Sequence, residues 1–199
     1  LFIMPEGAPN AFATGRDPKH GVVAVTEGLL RVLDRRETAA VIAHELGHIK
    51  NRDTLIMAIA ATFAGAMSMI ANAALWGSLF GGHDDEDGSP AASLLGVMVA
   101  PFAAMLVQMS ISRTREFGAD EAAARYTGEP LALASALRKI EAYSEYAPMQ
   151  AATPATAHLF IHNPFTLRGV ATLFSTHPST DARIERLEAM ASGRRPVAA

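Results

Sequence analysis

No cysteine occurs anywhere in the 199 residues. A disulfide framework and a thiolate metal site are therefore both excluded, any bound metal must be held by His, Asp or Glu, and the absence suits a reducing compartment. A basic field is also missing. The 17 Lys and Arg against 20 Asp and Glu give a formal net charge of -3, and the cations are scattered, which argues against nucleic acid as a partner. There is no internal repeat. Leu1 is not followed by the basic, apolar and small-residue order of a signal peptide, and the chain reads as a piece of something longer.

Two segments lack charge altogether. Leu55 to Phe80 and Ala91 to Ile111 contain no Asp, Glu, Lys or Arg, in a chain that is 50% hydrophobic and 19% charged. As helices they would extend roughly 39 Å and 32 Å, enough to cross a hydrocarbon core of about 30 Å. Both are predicted to be transmembrane helices. A buried hairpin in a soluble core is the competing reading, kept open by the many alanines and by Asn72 and Gln108. Lys50 and Arg52 precede the first run and Arg113 and Arg115 follow the second, while the connection Gly81 to Pro90 is acidic. The positive-inside tendency then puts both chain ends in the cytoplasm. The acidic stretch His83 to Asp87 reads as a solvated turn without a function.

The expected organisation is one domain in two parts, residues 1–54 and 112–199, interrupted by the hairpin 55–111. The fold class is mainly α with a small β element. Asn10 to Arg16 reads as a turn and the β-branched Gly21 to Thr26 as a strand, one that either holds an extended substrate by edge pairing or is purely structural. Asp34 with Glu37 three residues later marks the start of a helix ending near Asn51. After the second apolar run, Arg113 to Tyr126 and Leu131 to Tyr146 read as helices separated at Gly128-Glu129-Pro130. Pro148 to Leu167 shows no period, and Thr180 to Ala191 forms a last helix with Ile184, Leu187 and Met190 at helical spacing.

The chemistry-bearing stretch is His44-Glu45-Leu46-Gly47-His48. Residues four apart share a helix face, so the two imidazoles can clamp one ion, and Glu45 can reach a water on its open side as general base. Catalytic zinc normally takes three protein ligands. The extended pattern with a third histidine would need Gly at 51 and His at 54, where Asn51 and Thr54 stand. Glu116 is the best remaining candidate, because the hairpin would return it to the membrane face where the first helix ends. Asp120, one turn later, could orient a ligating imidazole. His158 and His162 repeat the four-residue spacing, but no carboxylate follows the first and Asn163-Pro164 ends any helix, which disfavours a second zinc site.

His44 to His48, Arg115-Glu116-Phe117-Gly118-Ala119-Asp120, the upstream Asn10-Ala11-Phe12-Ala13-Thr14-Gly15, and Thr176-His177-Pro178 with Arg183 together resemble the HtpX family of bacterial membrane proteases. These are relatives of the CAAX prenyl proteases. The resemblance covers nearly the whole chain and keeps the motif order. It implies a zincin-like protease domain split by a two-helix transmembrane hairpin, in a multi-pass inner-membrane protein with its site facing the cytoplasm. It further implies Zn2+ held by His44, His48 and Glu116, Glu45 as catalytic carboxylate, His177 stabilising the tetrahedral intermediate, and Arg183 close by. Misfolded or damaged membrane proteins would be the substrates. Two further hydrophobic spans usually precede this point in the family.

Two other readings compete. An intramembrane protease would set its His-Glu-x-x-His inside a lipid-spanning helix with an aspartate from another span, yet the motif here is flanked by charges and neither apolar run holds an aspartate. A non-catalytic zinc-stabilised membrane scaffold would not need Glu45.

Overall fold

The computed structural model describes residues 1–15, 17–80, 90–146 and 178–194; for the helical residues 68, 71, 74, 75, 78–80, 90–108 and 144–146 the backbone alone is described. The described chain is mainly helical with one small sheet. It divides into two compact units, Leu1–Leu55 with Ser112–Ala199, and Ile56–Ile111.

In the first unit, strands β1 (Phe2–Met4), β2 (Ala11–Thr14) and β3 (Val22–Thr26) form a sheet ordered β1-β3-β2. β1 runs parallel to β3 with Phe2 opposite Ala24, and β2 runs antiparallel with Ala11 opposite Val25. The turn expected over Asn10 to Arg16 is thus corrected to a strand. Local turn chemistry loses here to pairing: the Asn10 backbone N–H donates to Thr26 Oγ1 at 2.9 Å and the Thr26 N–H donates to the Asn10 carbonyl at 2.9 Å, which buries Asn10 against β3 and outweighs its turn preference. β3 is the central strand. Both its edges are taken, so the edge pairing with substrate considered for Gly21 to Thr26 is excluded, and the open edges among the described residues belong to β1 and β2.

Thr26 also starts the helical layer, since its hydroxyl accepts from the Leu29 N–H and so caps α1 (Glu27–Val32). Backbone packs directly on this helix at Gly28, where a Cβ would lie 2.1 Å from the Gly7 carbonyl oxygen; only glycine fits. α2 (Arg35–Lys50) opens with the capping box expected from the sequence: Asp34 accepts from the Glu37 N–H, and Glu37 accepts from the Asp34 N–H. α5 (Pro130–Tyr146) and α6 (Thr180–Ala191) pack on one another and α5 on α2. Leu29, Val41, Leu133, Leu137, Ile140 and Leu187 fill the space between, each large aliphatic contributing about 1.5–3 kcal/mol of burial.

Glu37 ties this layer together. Its carboxylate is buried and accepts from Ser135 Oγ at 2.7 Å and Lys139 Nζ at 2.7 Å on α5. Burial pushes its pKa up, but the bonds from Lys139, the Asp34 N–H and Ser135 outweigh it, and the pKa ends below the ordinary glutamate value. A carboxyl whose pKa falls on folding contributes stability above its unfolded pKa, roughly 4.3, and loses it as pH drops through the folded value. Glu37→Gln is therefore expected to lower the chemical-denaturation midpoint at pH 7, by an amount equivalent to about 1–3 kcal/mol. It should also flatten the loss of stability below about pH 4.5. Parallel slopes for wild type and variant in that range would remove Glu37 from this role.

Two helices run beyond this unit. α3 spans Asp53–Phe80 and α4 spans Pro90–Thr127. α4 corrects the separate helix expected from Arg113: no Gly or Pro stands between Gln108 and Phe117 to interrupt the hydrogen-bond ladder, so the helix runs on until Gly128, at φ 69, turns the chain. Among the described residues no helix is long and apolar enough to cross a membrane. The spans expected at Leu55 to Phe80 and Ala91 to Ile111 are helical but are not seen as membrane spans in what is described. The acidic stretch His83 to Asp87, read as a turn, the segment Pro148 to Leu167, read as without a period, and His158, His162 and His177 lie outside the described residues.

Candidate metal centre

His44, Glu45 and His48 lie on α2, Glu116 and Asp120 on α4, and Arg183 on α6. What brings α4 to α2 is the lack of side-chain bulk between them. A Cβ on Gly47 would lie 3.1 Å from Ala119 Cα and 3.1 Å from Ala122 Cβ, and Ala119 and Ala123 are fully buried. Glu116, one turn before Ala119, is thereby set opposite the two histidines.

The three candidate ligands converge. His44 Nε2 and His48 Nε2 are 3.1 Å apart, and each is 3.6 Å from an oxygen of Glu116. Behind them, His44 Nδ1 lies 2.9 Å from Asp120 Oδ1 and His48 Nδ1 lies 2.5 Å from Asp53 Oδ2. An ionised carboxylate only accepts, so each Nδ1 carries the hydrogen and each Nε2 presents a lone pair. Two imidazole nitrogens and a carboxylate thus face one another in a largely buried place, an arrangement that repels itself unless a proton or a metal ion sits between. Ligands 2.0–2.2 Å from a tetrahedral zinc are roughly 3.3–3.6 Å apart, close to the three separations here, and these residues form a group that could hold a metal ion.

The charges agree with this. Glu45, Asp53, Glu116 and Asp120 are buried around the two imidazoles with Arg115 and Arg183 as the neighbouring cations, leaving an excess of two negative charges that suits a divalent ion. Burial pushes the His48 pKa down, but the hydrogen bond to Asp53 and the charges of Glu116, Glu45 and Asp53 outweigh it and raise the value above the ordinary imidazole range. A field that keeps a proton on an imidazole favours a metal ion at the same place. Arg183 is buried and forks onto Asp120, with Nε to Oδ2 at 2.9 Å and a terminal nitrogen to Oδ1 at 2.7 Å; its other terminal nitrogen is 3.2 Å from Glu116 Oε2. Burial pushes the Asp120 pKa up, yet the Arg183 charge, together with His44, holds it below the usual carboxylate range.

The candidate residues His44, Glu45, His48, Glu116, Asp120 and Arg183 are therefore brought together, while His177 is outside the described residues. The sequence marks Asp53 only as one of the charges flanking the motif helix and Arg115 as a cation following the second apolar run, and neither reading places them beside His48. The one signal available was an acidic residue in the first turn after the motif helix.

A family model described as peptidase family M48 matches residues 2–191. The chain belongs to this family. It is therefore a metal-dependent protease, a hydrolase that acts on polypeptides, and the resemblance drawn from the motifs holds. Proteins named Protease HtpX homolog match at 57% identity in Thermococcus kodakarensis, over 96% of this chain and 67% of that protein, and at 54% in Syntrophotalea carbinolica, over 96% and 69%. A third, from Desulfatibacillum aliphaticivorans, is 54% identical over 98% of this chain and 63% of its own length. The chain thus spans about two thirds of these relatives. The crystal structure of S. mikatae Ste24p shares the fold, with a TM-score of 0.53 at 17% identity, over 94% of this chain and 45% of the other.

Proposed function

We propose that this M48 chain carries the catalytic centre of a membrane-anchored zinc endopeptidase. The observation that carries the reading is the convergence of two imidazole lone pairs with the Glu116 carboxylate, each imidazole fixed from behind by a second carboxylate. His44, His48 and Glu116 are assigned as zinc ligands. Zinc bound there supplies a Lewis acid that polarises the scissile carbonyl and acidifies water at neutral pH.

The chain's own residues do the rest. Glu45 takes one proton of the attacking water and delivers it to the leaving amide nitrogen, so that the C–N bond breaks to a carboxylic acid and an amine, and the acid's proton then passes to the amine or to solvent. Its burial beside His48 and Arg183, both of which feel its charge, supports that role. Asp120 keeps the His44 lone pair aimed, and Arg183 anchors Asp120 while offsetting the charge of Glu116. His177 stands two residues before Ser179, the cap of the helix that carries Arg183, and is assigned to donate to the oxygen that becomes negative in the tetrahedral intermediate.

Residues 55–111 are assigned as the membrane hairpin and 1–54 with 112–199 as the protease domain. α3 does not meet the length and apolarity of a span among the described residues, and the assignment rests on its surface: Phe63, Met69, Ile70 and Trp76 are each at least 60% exposed on a helix without a charge from Leu55 to Phe80. By the flanking cations the site faces the cytoplasm of a bacterial inner membrane, and the substrates are misfolded or damaged membrane proteins. The test is hydrolysis of an unfolded protein such as casein by detergent-purified chain. Activity should vanish after chelation and return with added zinc; cleavage that survives full removal of metal would overturn the reading.

A further inference from the structure

We propose that Asp53, anchored by Arg115, is a positioning residue for the metal site: it fixes the ring of His48 and so ties that ligand to the first residue of α3. The inference rests on His48 being a ligand. It begins at the end of α2, where Asn51 closes the helix and Arg52 takes φ 56, a left-handed conformation in which glycine or asparagine is the usual residue. That turn reverses the chain within one residue. Asp53 then comes back beside the last turn of α2 with Oδ2 2.5 Å from His48 Nδ1, and its other oxygen is 3.2 Å from an Arg115 nitrogen on α4.

Asp53 is buried and Arg115 is mostly so, which has a cost. Asp53 is 4% exposed, and a second Arg115 nitrogen is buried without a hydrogen-bond partner among the described residues. If the pair only joined α3 to α4, apolar side chains of similar size would serve as well or better, because desolvating two ions cancels most of their attraction. What an apolar pair cannot do is hold a hydrogen on His48 Nδ1 and leave Nε2 free to ligate. The other histidine repeats the arrangement, in the order imidazole, carboxylate, guanidinium: His44, Asp120 and Arg183 on one side, His48, Asp53 and Arg115 on the other. Each ligand has its own support, and the two supporting carboxylates come from different helices, Asp120 from α4 and Asp53 from α3.

The experiment uses the full chain in detergent and three readouts: zinc dissociation constant by chelator competition, the visible spectrum of the cobalt-substituted protein, and thermal unfolding of the metal-free form. Asp53→Ala should weaken zinc binding about 10- to 100-fold and shift the cobalt spectrum, while the metal-free form, somewhat destabilised by the loss of Arg115's partner, still unfolds in one cooperative transition. Asp53→Asn, whose amide oxygen still accepts from Nδ1, should fall between. Arg115→Ala should shift affinity the same way by less, and Arg115→Lys should recover part of it. Wild-type affinity and spectrum in Asp53→Ala overturn the proposal, as does an affinity loss matched by collapse of the metal-free form in both Asp53 variants. Wild-type chain that takes up no zinc overturns the metal reading and this proposal with it, a result distinct from either.

Discussion

Glu45→Gln is expected to bind zinc as the wild-type chain does and to lose peptide hydrolysis by about 10²- to 10⁴-fold, the usual range for a positioned acid–base group. Glutamine keeps the volume of the buried side chain, so packing around α2 is unaffected, but its amide cannot take a proton from water. The ligand atoms are untouched: the contacts that hold His44 and His48 run to Asp120 and Asp53, not to residue 45. Zinc content and casein turnover, measured on the same preparation, separate base from ligand. Turnover above a few per cent of wild type would remove Glu45 from the mechanism, and a proportional fall in zinc would make it a ligand instead.

How much of this could be read from the chain depends on how far each feature reaches along it. The clamp of His44 and His48 is a local fact of helical spacing, and the capping box at Asp34 and Glu37 fixes where that helix begins; both are written in adjacent residues. Asp120 was legible as one turn from Glu116 on the same helix. The β2 strand was not, because Asn10 and Gly15 carry turn chemistry and only the distant Thr26 pulls Asn10 into the sheet. Asp53 was missed for a similar reason. Five residues after His48 on a continuing helix it would point away from the imidazole, and the left-handed residue at Arg52 that returns it is one whose type gives no warning. Glu116 is the most distant case, reached through the expected hairpin return and through motif order rather than through any spacing, and placed by the small residues Gly47, Ala119 and Ala122 between the helices.

Glu116→Ala is expected to purify with little zinc and no measurable hydrolysis, and to lose more affinity than any residue that acts through a ligand. Removing one of three donors leaves two imidazole nitrogens 3.1 Å apart with no carboxylate to complete a tetrahedral set or to offset the ion's charge. Residues behind the ligands typically cost 10- to 100-fold in metal affinity; Asp120→Asn, which keeps an oxygen for His44 Nδ1, should stay within that range and retain partial zinc. Alanine at 120 is a poorer comparison, because Arg183 would then be a buried cation deprived of its fork and the protein would lose stability as well. Glu116→Ala avoids that problem, since Arg183 keeps both bonds to Asp120. Zinc occupancy of Glu116→Ala, Glu116→Gln and Asp120→Asn under one chelator concentration makes the distinction. Full occupancy in both Glu116 variants would mean that another residue, most plausibly Asp120 swung from His44 onto the ion, completes the coordination, and the convergence of Glu116 with the two histidines would then need a different explanation.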